Sequence, residues 1–260
     1  DTEIELKGNY IHFGPQKVRI LPGAGPGSLS WDALGADIII DCTGRIWPRT
    51  TLEKYLEEGA KRVIVTKPPE EPVDRIVVMG LNNNEISIND KIVSPSSSTT
   101  QVLALMLDIL DKEYGLEKAM MTSVHAYTSD QPLSDSVRSD LRRSRSAVEN
   151  IIPNQTRSPQ LVESVLPHLK GKISGIAFNV PIPDGSCVDL TTQLRSTPSV
   201  EEVNTLMKNI SENSLSDIIG YTDDPIVSSD VVGDRHSMLF DAKATMIAAG
   251  KLLKTICWYD

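Results

Sequence analysis

Apolar residues recur along this chain with two different periods, and the difference divides it. From Thr99 through Glu113, apolar residues stand at Val102, Leu103, Leu105, Met106, Ile109 and Leu110, and Gly115 follows. That spacing predicts a buried helix. Upstream of it the runs are short and rich in Val and Ile. Ala36 to Cys42 is a continuous apolar run of the kind a buried parallel strand needs. Thr50 or Thr51 is placed to cap a helix through Glu58 that Gly59 closes, with Leu52, Tyr55 and Leu56 on one side. Arg62 to Thr66 reads as the next parallel strand, so these three pieces predict one βαβ unit, and Ile76 to Gly80 and Lys91 to Ser94 predict two further strands. At the start, Glu3 to Leu6 and Val18 to Leu21 predict an antiparallel pair, with turn signals at Gly8 and Gly14-Pro15. Pro22 to Gly27 predicts a loop. No strand runs straight into its glycines and no long helix follows, so a flexible connection is expected there in preference to a phosphate cradle.

Beyond Met120 the texture changes. Strand patterns at Met121 to Tyr127, Ile173 to Val180, Val188 to Arg195 and Thr255 to Tyr259 alternate with helix patterns at Gln160 to Leu169 and Glu201 to Ser211. Long strands with few hairpin turns predict a mixed or antiparallel sheet faced by helices. Ser199 followed by Glu202 is a capping box that starts the last of these helices at 201. The fold class expected is therefore α/β, with no internal repeat and no low-complexity tract beyond the serines at 96 to 98.

Composition narrows the function classes. At 260 residues, 40% hydrophobic and 23% charged, the chain has enough material to bury a sizeable core. No apolar run approaches the roughly 20 residues that a bilayer crossing needs, so no membrane partner is expected. A net charge of −9 disfavours general binding to phosphate backbones, and nucleic acid is not an expected partner. Cys42, Cys187 and Cys257 are scattered without C-x-x-C spacing, which indicates neither a disulfide framework nor a zinc site and suits the reducing cytoplasm. His168 and His236 have no companions at metal-ligand spacing. The opening Asp1 to Leu6 is acidic and alternating, unlike a signal peptide, and does not begin with Met, which suggests an incomplete record of a longer protein.

The stretch Ser94-Pro95-Ser96-Ser97-Ser98-Thr99-Thr100-Gln101, followed by Val124-His125-Ala126, carries a family resemblance. Collinear with it are Asp41-Cys42-Thr43-Gly44, Val78-Met79-Gly80-Leu81-Asn82, Asn150-Ile151-Ile152-Pro153, Gly175 to Asp184, Gly220-Tyr221-Thr222, Val227 to Asp230, His236-Ser237 and Phe240-Asp241-Ala242. Together these blocks resemble the glyceraldehyde-3-phosphate dehydrogenase family, which includes the erythrose-4-phosphate dehydrogenases. In that family the first segment reads S-N-A-S-C-T-T-N. Its cysteine attacks the substrate aldehyde and the histidine acts as base. Ser98 stands at the cysteine position here, and His125 keeps the family's spacing from it.

The resemblance implies two domains: a partial Rossmann-like nucleotide-binding domain over 1–97, lacking the family's first βαβ segment, and an α+β catalytic domain with a mixed sheet over 98–260, without the family's C-terminal helix. It implies NAD or NADP as cofactor, with Thr43 and Gly44 beside the nicotinamide ribose and Thr66 in the segment where the family commonly has S-A-P. The glycine-rich cradle that holds the pyrophosphate in a Rossmann half has no counterpart in the sequence. It further implies Ser98 and His125 at the catalytic positions, Ser97, Thr99 and Thr156 where the family binds inorganic phosphate, and Thr128 and Asp130 where it binds the phosphate of its substrate.

Several residues depart from the pattern. Arg157 replaces a glycine, and Asn179 replaces the arginine that clamps the substrate phosphate, with neither its charge nor its fork. Pro95 and Gln101 each replace an asparagine. A serine hydroxyl is far less acidic than a thiol and a weak nucleophile unless a base takes its proton, and the oxyester it would form reacts less readily with phosphate than a thioester. Ser98 also suits a plain role as cap of the helix that begins at Thr99. These departures imply a homologue that does not perform the usual phosphorylating oxidation and serves as a structural, regulatory or oligomer-partner subunit. It would form a homo-oligomer, or a hetero-oligomer with a related dehydrogenase, and a phosphorylated small molecule is a possible ligand. Two rivals stay open: a working NAD(P)-dependent aldehyde-phosphate dehydrogenase, with serine native or engineered at the cysteine position, and a serine-dependent ester hydrolase. Arg138, Arg142, Arg143 and Arg145 lie in a segment that resembles the family's S-shaped interface loop. They read either as a solvated basic face or as a contact for an anion or partner.

Overall fold

The computed structural model describes residues 3–23 and 25–260. Its first element is an antiparallel meander of β1 (Ile4–Lys7), β2 (Tyr10–Phe13) and β3 (Gln16–Arg19). The sequence suggested that the outer two strands pair with each other. Tyr10–Phe13 intervenes instead, because Gly8 and Gly14 take φ of +60° and +54° and turn the chain tightly on both sides of it. Ala24 lies outside the described residues, and the rest of the expected Pro22 to Gly27 loop has no regular structure.

After a short helix α1 (Trp31–Leu34) comes a parallel sheet of β4 (Ile38–Asp41), β5 (Arg62–Val65), β6 (Arg75–Ile76) and β7 (Ile92–Ser94), in the order β4-β5-β7-β6. Helix α2 (Arg49–Glu57) joins β4 to β5 and buries Leu52 and Tyr55 against Ile39, Val63, Val65 and Ile92. The helix begins one or two residues before the threonines expected to cap it. The Glu71 carboxylate accepts from Arg49 N at 2.8 Å, so a distant side chain supplies the acceptor. The apolar run of β4 is buried on one face only: Ile38 and Ile40 are 56% and 59% exposed, because α2 covers the opposite face and β4 forms the sheet edge. The strand expected over Ile76 to Gly80 is cut to two residues. The Asn82 side chain accepts from Val78 N at 2.7 Å and donates to Ile76 O at 2.9 Å, taking the place of a partner strand, and Gly80 turns the chain at φ +82°.

Helix α3 (Ser98–Tyr114) follows β7 and is buried on nearly all sides, from Thr99 through Leu107 and again at Ile109 and Leu110. It packs on a seven-stranded mixed sheet of β8 (Leu116–Ala126), β9 (Ile152–Asn154), β10 (Ile173–Val180), β11 (Ser186–Leu194), β12 (Ile219–Thr222), β13 (Met238–Ala248) and β14 (Leu252–Tyr259), in the order β12-β13-β14-β11-β8-β10-β9. Strands β8 and β10 run parallel, as do β12 and β13. Helices α4 (Ser158–Val165) and α5 (Val200–Glu212) complete the covering layer. The helix expected through Leu169 stops at Val165, because Pro167 lacks the N–H to continue it and a 3-10 turn takes over. The expected capping box is present: Ser199 Oγ accepts from Glu202 N at 3.1 Å, and Glu202 accepts from Ser199 N at 2.6 Å.

Candidate functional site

The chain enters α3 through a strained turn. Ser96 takes φ +62°, a conformation that favours glycine, and its buried hydroxyl has no partner among the described residues. The turn is held by Ser94, whose Oγ accepts from Ser96 N at 3.0 Å and donates to Val65 O at 2.8 Å. Ser97, rather than Ser98, is the N-cap, accepting from Thr100 N at 3.1 Å. Ser98 is the first helical residue, exposed, and its hydroxyl makes no hydrogen bond to His125 or to any other described residue. Gln101 faces away, binding the carbonyls of Val77 and Pro95 and accepting from Met79 N, so it ties the parallel sheet to the helix.

Below this turn lies a cavity of about 380 Å³. Of the residues singled out in the sequence, Ser97, Thr99, His125, Thr128, Asp130 and Thr156 line it, together with the departures Arg157 and Asn179. Pro95, Ser98 and Gln101 are outside the lining. Parallel pairing of β8 with β10 sets His125 opposite Asn179, and β9 brings Asn154 in beside them. His125 Nδ1 lies 2.7 Å from Ala126 O. A carbonyl only accepts, so Nδ1 carries a proton, and in the neutral imidazole Nε2 holds the lone pair. Asn179 is 7% exposed; its Nδ2 lies 3.4 Å from Ala126 O and its Oδ1 accepts from Asn154 Nδ2 at 3.3 Å. The floor of the cavity is therefore polar and uncharged.

Most of the hydroxyls here already have partners. Thr99 Oγ1 is 2.7 Å from Tyr259 OH, which also meets Ser123 Oγ at 3.1 Å. The Tyr259 ring stands edge-on to His125, with centroids 6.1 Å apart. Burial pushes the Tyr259 phenol above its ordinary value and keeps it protonated. Thr156 Oγ1 accepts from Ser158 N at 3.2 Å, at the start of α4. Asp130 accepts from Thr128 Oγ1 and pairs with Arg143. Desolvation pushes its carboxyl up, but the Thr128 hydroxyl and the charges of Arg143 and Lys67 outweigh that and hold it below the usual carboxylate range. Asp130 is thus an anion that positions Arg143 at the cavity.

Thr43, Gly44 and Thr66 gather elsewhere, at the C-terminal ends of β4 and β5. The buried Asp41 carboxylate accepts from Thr43 N at 3.0 Å and from Thr43 Oγ1 at 2.7 Å, and Thr66 Oγ1 donates to Asp41 O at 2.8 Å. Gly44 turns at φ +71° with open space around it. Crevices at such strand ends are where open parallel sheets take ligands.

Sequence reasoning did not place Lys67 and Tyr259 in the site, and left Arg143 with the basic loop. The signals available were the lysine in Thr66-Lys67-Pro68 and the closing Trp258-Tyr259-Asp260. Of the four loop arginines only Arg143 lines the cavity; Arg145 pairs with Asp135 at 3.0 Å. His168 and His236 each lie beside a single aspartate, and no three His, Cys, Asp or Glu side chains are gathered for a metal among the described residues.

The family model for the C-terminal domain of glyceraldehyde 3-phosphate dehydrogenase matches residues 97–260. Glyceraldehyde-3-phosphate dehydrogenase 1 of Bacillus subtilis (strain 168) is 39% identical over 261 residues, covering 100% of this chain and 78% of the relative. The glyceraldehyde-3-phosphate dehydrogenase of Mycobacterium leprae (strain TN) is 41% identical over 261 residues, covering 100% of this chain and 76% of its own length. That of Geobacillus stearothermophilus is 39% identical, with 100% and 78% covered. With the family model over the seven-stranded sheet and this identity along the whole chain, the protein belongs to the glyceraldehyde-3-phosphate dehydrogenase family.

Proposed function

We propose that this member of the family binds a phosphorylated small molecule but does not carry out phosphorylating aldehyde oxidation, and that it serves as a structural, regulatory or oligomer-partner subunit divided near 97/98. One observation carries the reading. The position of the nucleophile holds the hydroxyl of Ser98, exposed at the start of α3 and without a hydrogen bond to the base at His125. A hydroxyl in that state is protonated and weakly nucleophilic. Asn179 supports the same conclusion, since its neutral amide forms the floor of the cavity.

NAD or NADP is the cofactor that the resemblance implies, and its fit is partial. Thr43, Gly44 and Thr66 suit a ribose at the strand ends, whereas the described residues offer no glycine-rich turn from strand into long helix for a pyrophosphate. No chemical step is assigned to the cofactor. The test is the purified chain with glyceraldehyde 3-phosphate, inorganic phosphate and NAD or NADP. No reduced nicotinamide is expected. A signal that requires both aldehyde and phosphate, and that His125→Ala abolishes, overturns the proposal. Hydrolysis of a chromogenic ester that Ser98→Ala abolishes would transfer the reading to an esterase.

A further inference from the structure

The N-terminal meander is a sheet of its own, and its alternation sorts its side chains by face. Pairing of Ile4 with Phe13, Leu6 with Ile11 and Ile11 with Val18 sets these five apolar residues on one face. The same register puts the charged residues Glu5, Lys7, Lys17 and Arg19 on the other. Ile4 and Leu6 are each 68% exposed, against 47% for Phe13, so the barest part of the apolar face lies on β1. Strand β1 is also an edge: it pairs with β2 on one side and with no other strand among the described residues. An open edge offers a row of backbone donors and acceptors to any strand that fits it.

The charges of β1 select what fits. Side chains alternate with a period of two, so a second copy of β1 laid antiparallel keeps its apolar side on the same face only when centred on a residue and not between two. Centred on Glu5 or on Lys7, it would set like charges directly opposite. Centred on Leu6, it sets Glu5 opposite the second copy's Lys7 and Lys7 opposite the second copy's Glu5, while the two Leu6 side chains meet on the apolar face. Within one chain Glu5 and Lys7 already touch along the strand, so both charges lie where the opposing pair needs them. The other edge, β3, is closed to the same pairing, because centring on Lys17, Val18 or Arg19 opposes cation to cation. We propose that β1 pairs antiparallel with β1 of a second copy, across a two-fold axis at Leu6, and joins the two meanders into one six-stranded sheet. The contact is isologous and closes on itself, so it makes a dimer and not a filament. It brings Ile4 and Leu6 of both copies against one another. The inference deepens the proposed function by naming the partner as the chain itself and the strand through which the copies meet.

The experiment uses the whole chain, with the exposed Cys42 changed to serine as background. Leu6→Cys then places two thiols directly opposite, with Cα atoms about 4.5–5.5 Å apart, inside the reach of a disulfide. Mild oxidation with diamide should convert most of this variant to a linked dimer on non-reducing electrophoresis, and Val18→Cys, on the β3 edge, should stay a single chain. Sedimentation equilibrium reads the contact without a link. Glu5→Lys and Lys7→Glu each turn two attractive pairs into two repulsive ones and should weaken the dimer by about 5- to 50-fold, with the larger effect at low salt. The double variant Glu5→Lys/Lys7→Glu exchanges both members of every pair and should return to within about 3-fold of the parent. Circular dichroism identical to the parent verifies folding, and the cross-link, which leaves both charges in place, still tests the inference if a charge variant does not fold. A chain that stays at 28.5 kDa at hundreds of micromolar would overturn it. So would a link at Val18→Cys as strong as at Leu6→Cys, or a double variant no better than the single ones. A dimer whose affinity neither single variant moves would also overturn it, while leaving the proposed oligomeric subunit standing with its contact elsewhere. Aldehyde oxidation in the separate assay would overturn the proposed function and leave this result untouched.

Discussion

Replacing Ser98 by cysteine separates a lost nucleophile from a lost site. The residue is exposed at the first position of a 17-residue helix, so a thiol is accommodated there without repacking. A free cysteine titrates near 8.5, and the helix N-terminus favours the thiolate by about 0.3–1 kcal/mol, which brings the value to about 8. With Nδ1 turned to Ala126 O, His125 leaves Nε2 as the ring nitrogen that can take the proton when substrate draws the side chains together. Ser98→Cys should therefore be alkylated by iodoacetamide, with a pH midpoint near 8 that rises when His125→Ala is added, as read by intact mass. Turnover should stay absent. A guanidinium contact to phosphate contributes about 1.5–3 kcal/mol, so its loss at Asn179 weakens productive binding by about 10- to 150-fold. The further change Asn179→Arg should improve phosphate binding without full rescue. Robust phosphate-dependent turnover from Ser98→Cys alone would refute this reasoning, because it would show that the site is otherwise intact.

Three further outcomes are expected. Gly185 sits at φ +77° with a built Cβ 2.0 Å from Ser228 O, whereas Gly171 sits at φ +78° in open space; Gly171→Ala should cost only the backbone term of about 1–2 kcal/mol and Gly185→Ala distinctly more, as compared by denaturant midpoints. For Asp74, desolvation pushes the carboxyl up, but hydrogen bonds from Ile92 N, the Arg49 guanidinium and Lys91 N outweigh it and leave the value lowered. Its stabilisation is thus complete above the unfolded value of about 3.9 and lost as pH falls through the folded one, so Asp74→Asn should be less stable at pH 7 by about 1–3 kcal/mol, with a gap that closes in acid. On the proposal that the chain is an oligomer subunit, supported by Val137 and Leu141 at 103% and 82% exposure, light scattering at micromolar concentration should give at least twice the 28.5 kDa chain mass, and a clean monomer even with a related dehydrogenase added would count against it.

Elements with their own local signals were legible in the sequence. Helix α3 was, because its apolar positions follow the helical period and Gly115 ends it; so was α5, because a capping box needs only two residues three apart. Elements that depend on a distant partner were not. Tyr10–Phe13 becomes a strand only because two left-handed glycines fold its neighbours onto it. Ile76 to Gly80 has a strand's composition, but Asn82 supplies the hydrogen bonds that a neighbouring strand would have made. The long β13 carries an irregularity between Asp241 and Met246, where the Asp241 carboxylate accepts from Lys243 N, Ala244 N and Trp258 Nε1, and this break hides the alternation on which strand reading depends.

The site divides along a similar line, between what a residue type offers and what has already claimed it. The resemblance brought Ser97, Thr99, His125, Thr128, Asp130 and Thr156 together as donors and charges, and the fold sets all of them around one cavity. What the letters do not carry is where each hydrogen bond goes. Thr99 is engaged by Tyr259, Thr156 by the start of α4, and Asp130 by Arg143, so each of these side chains already has a partner within the protein. Arg157, which makes no ion pair with a described residue, occupies a position where the sequence showed only a departure from a pattern. A departure that removes charge at Asn179 and one that places charge at 157 are separate changes in the sequence. They become a single exchange once the cavity shows them facing the same space, because an anion responds to the sum of the charges around it.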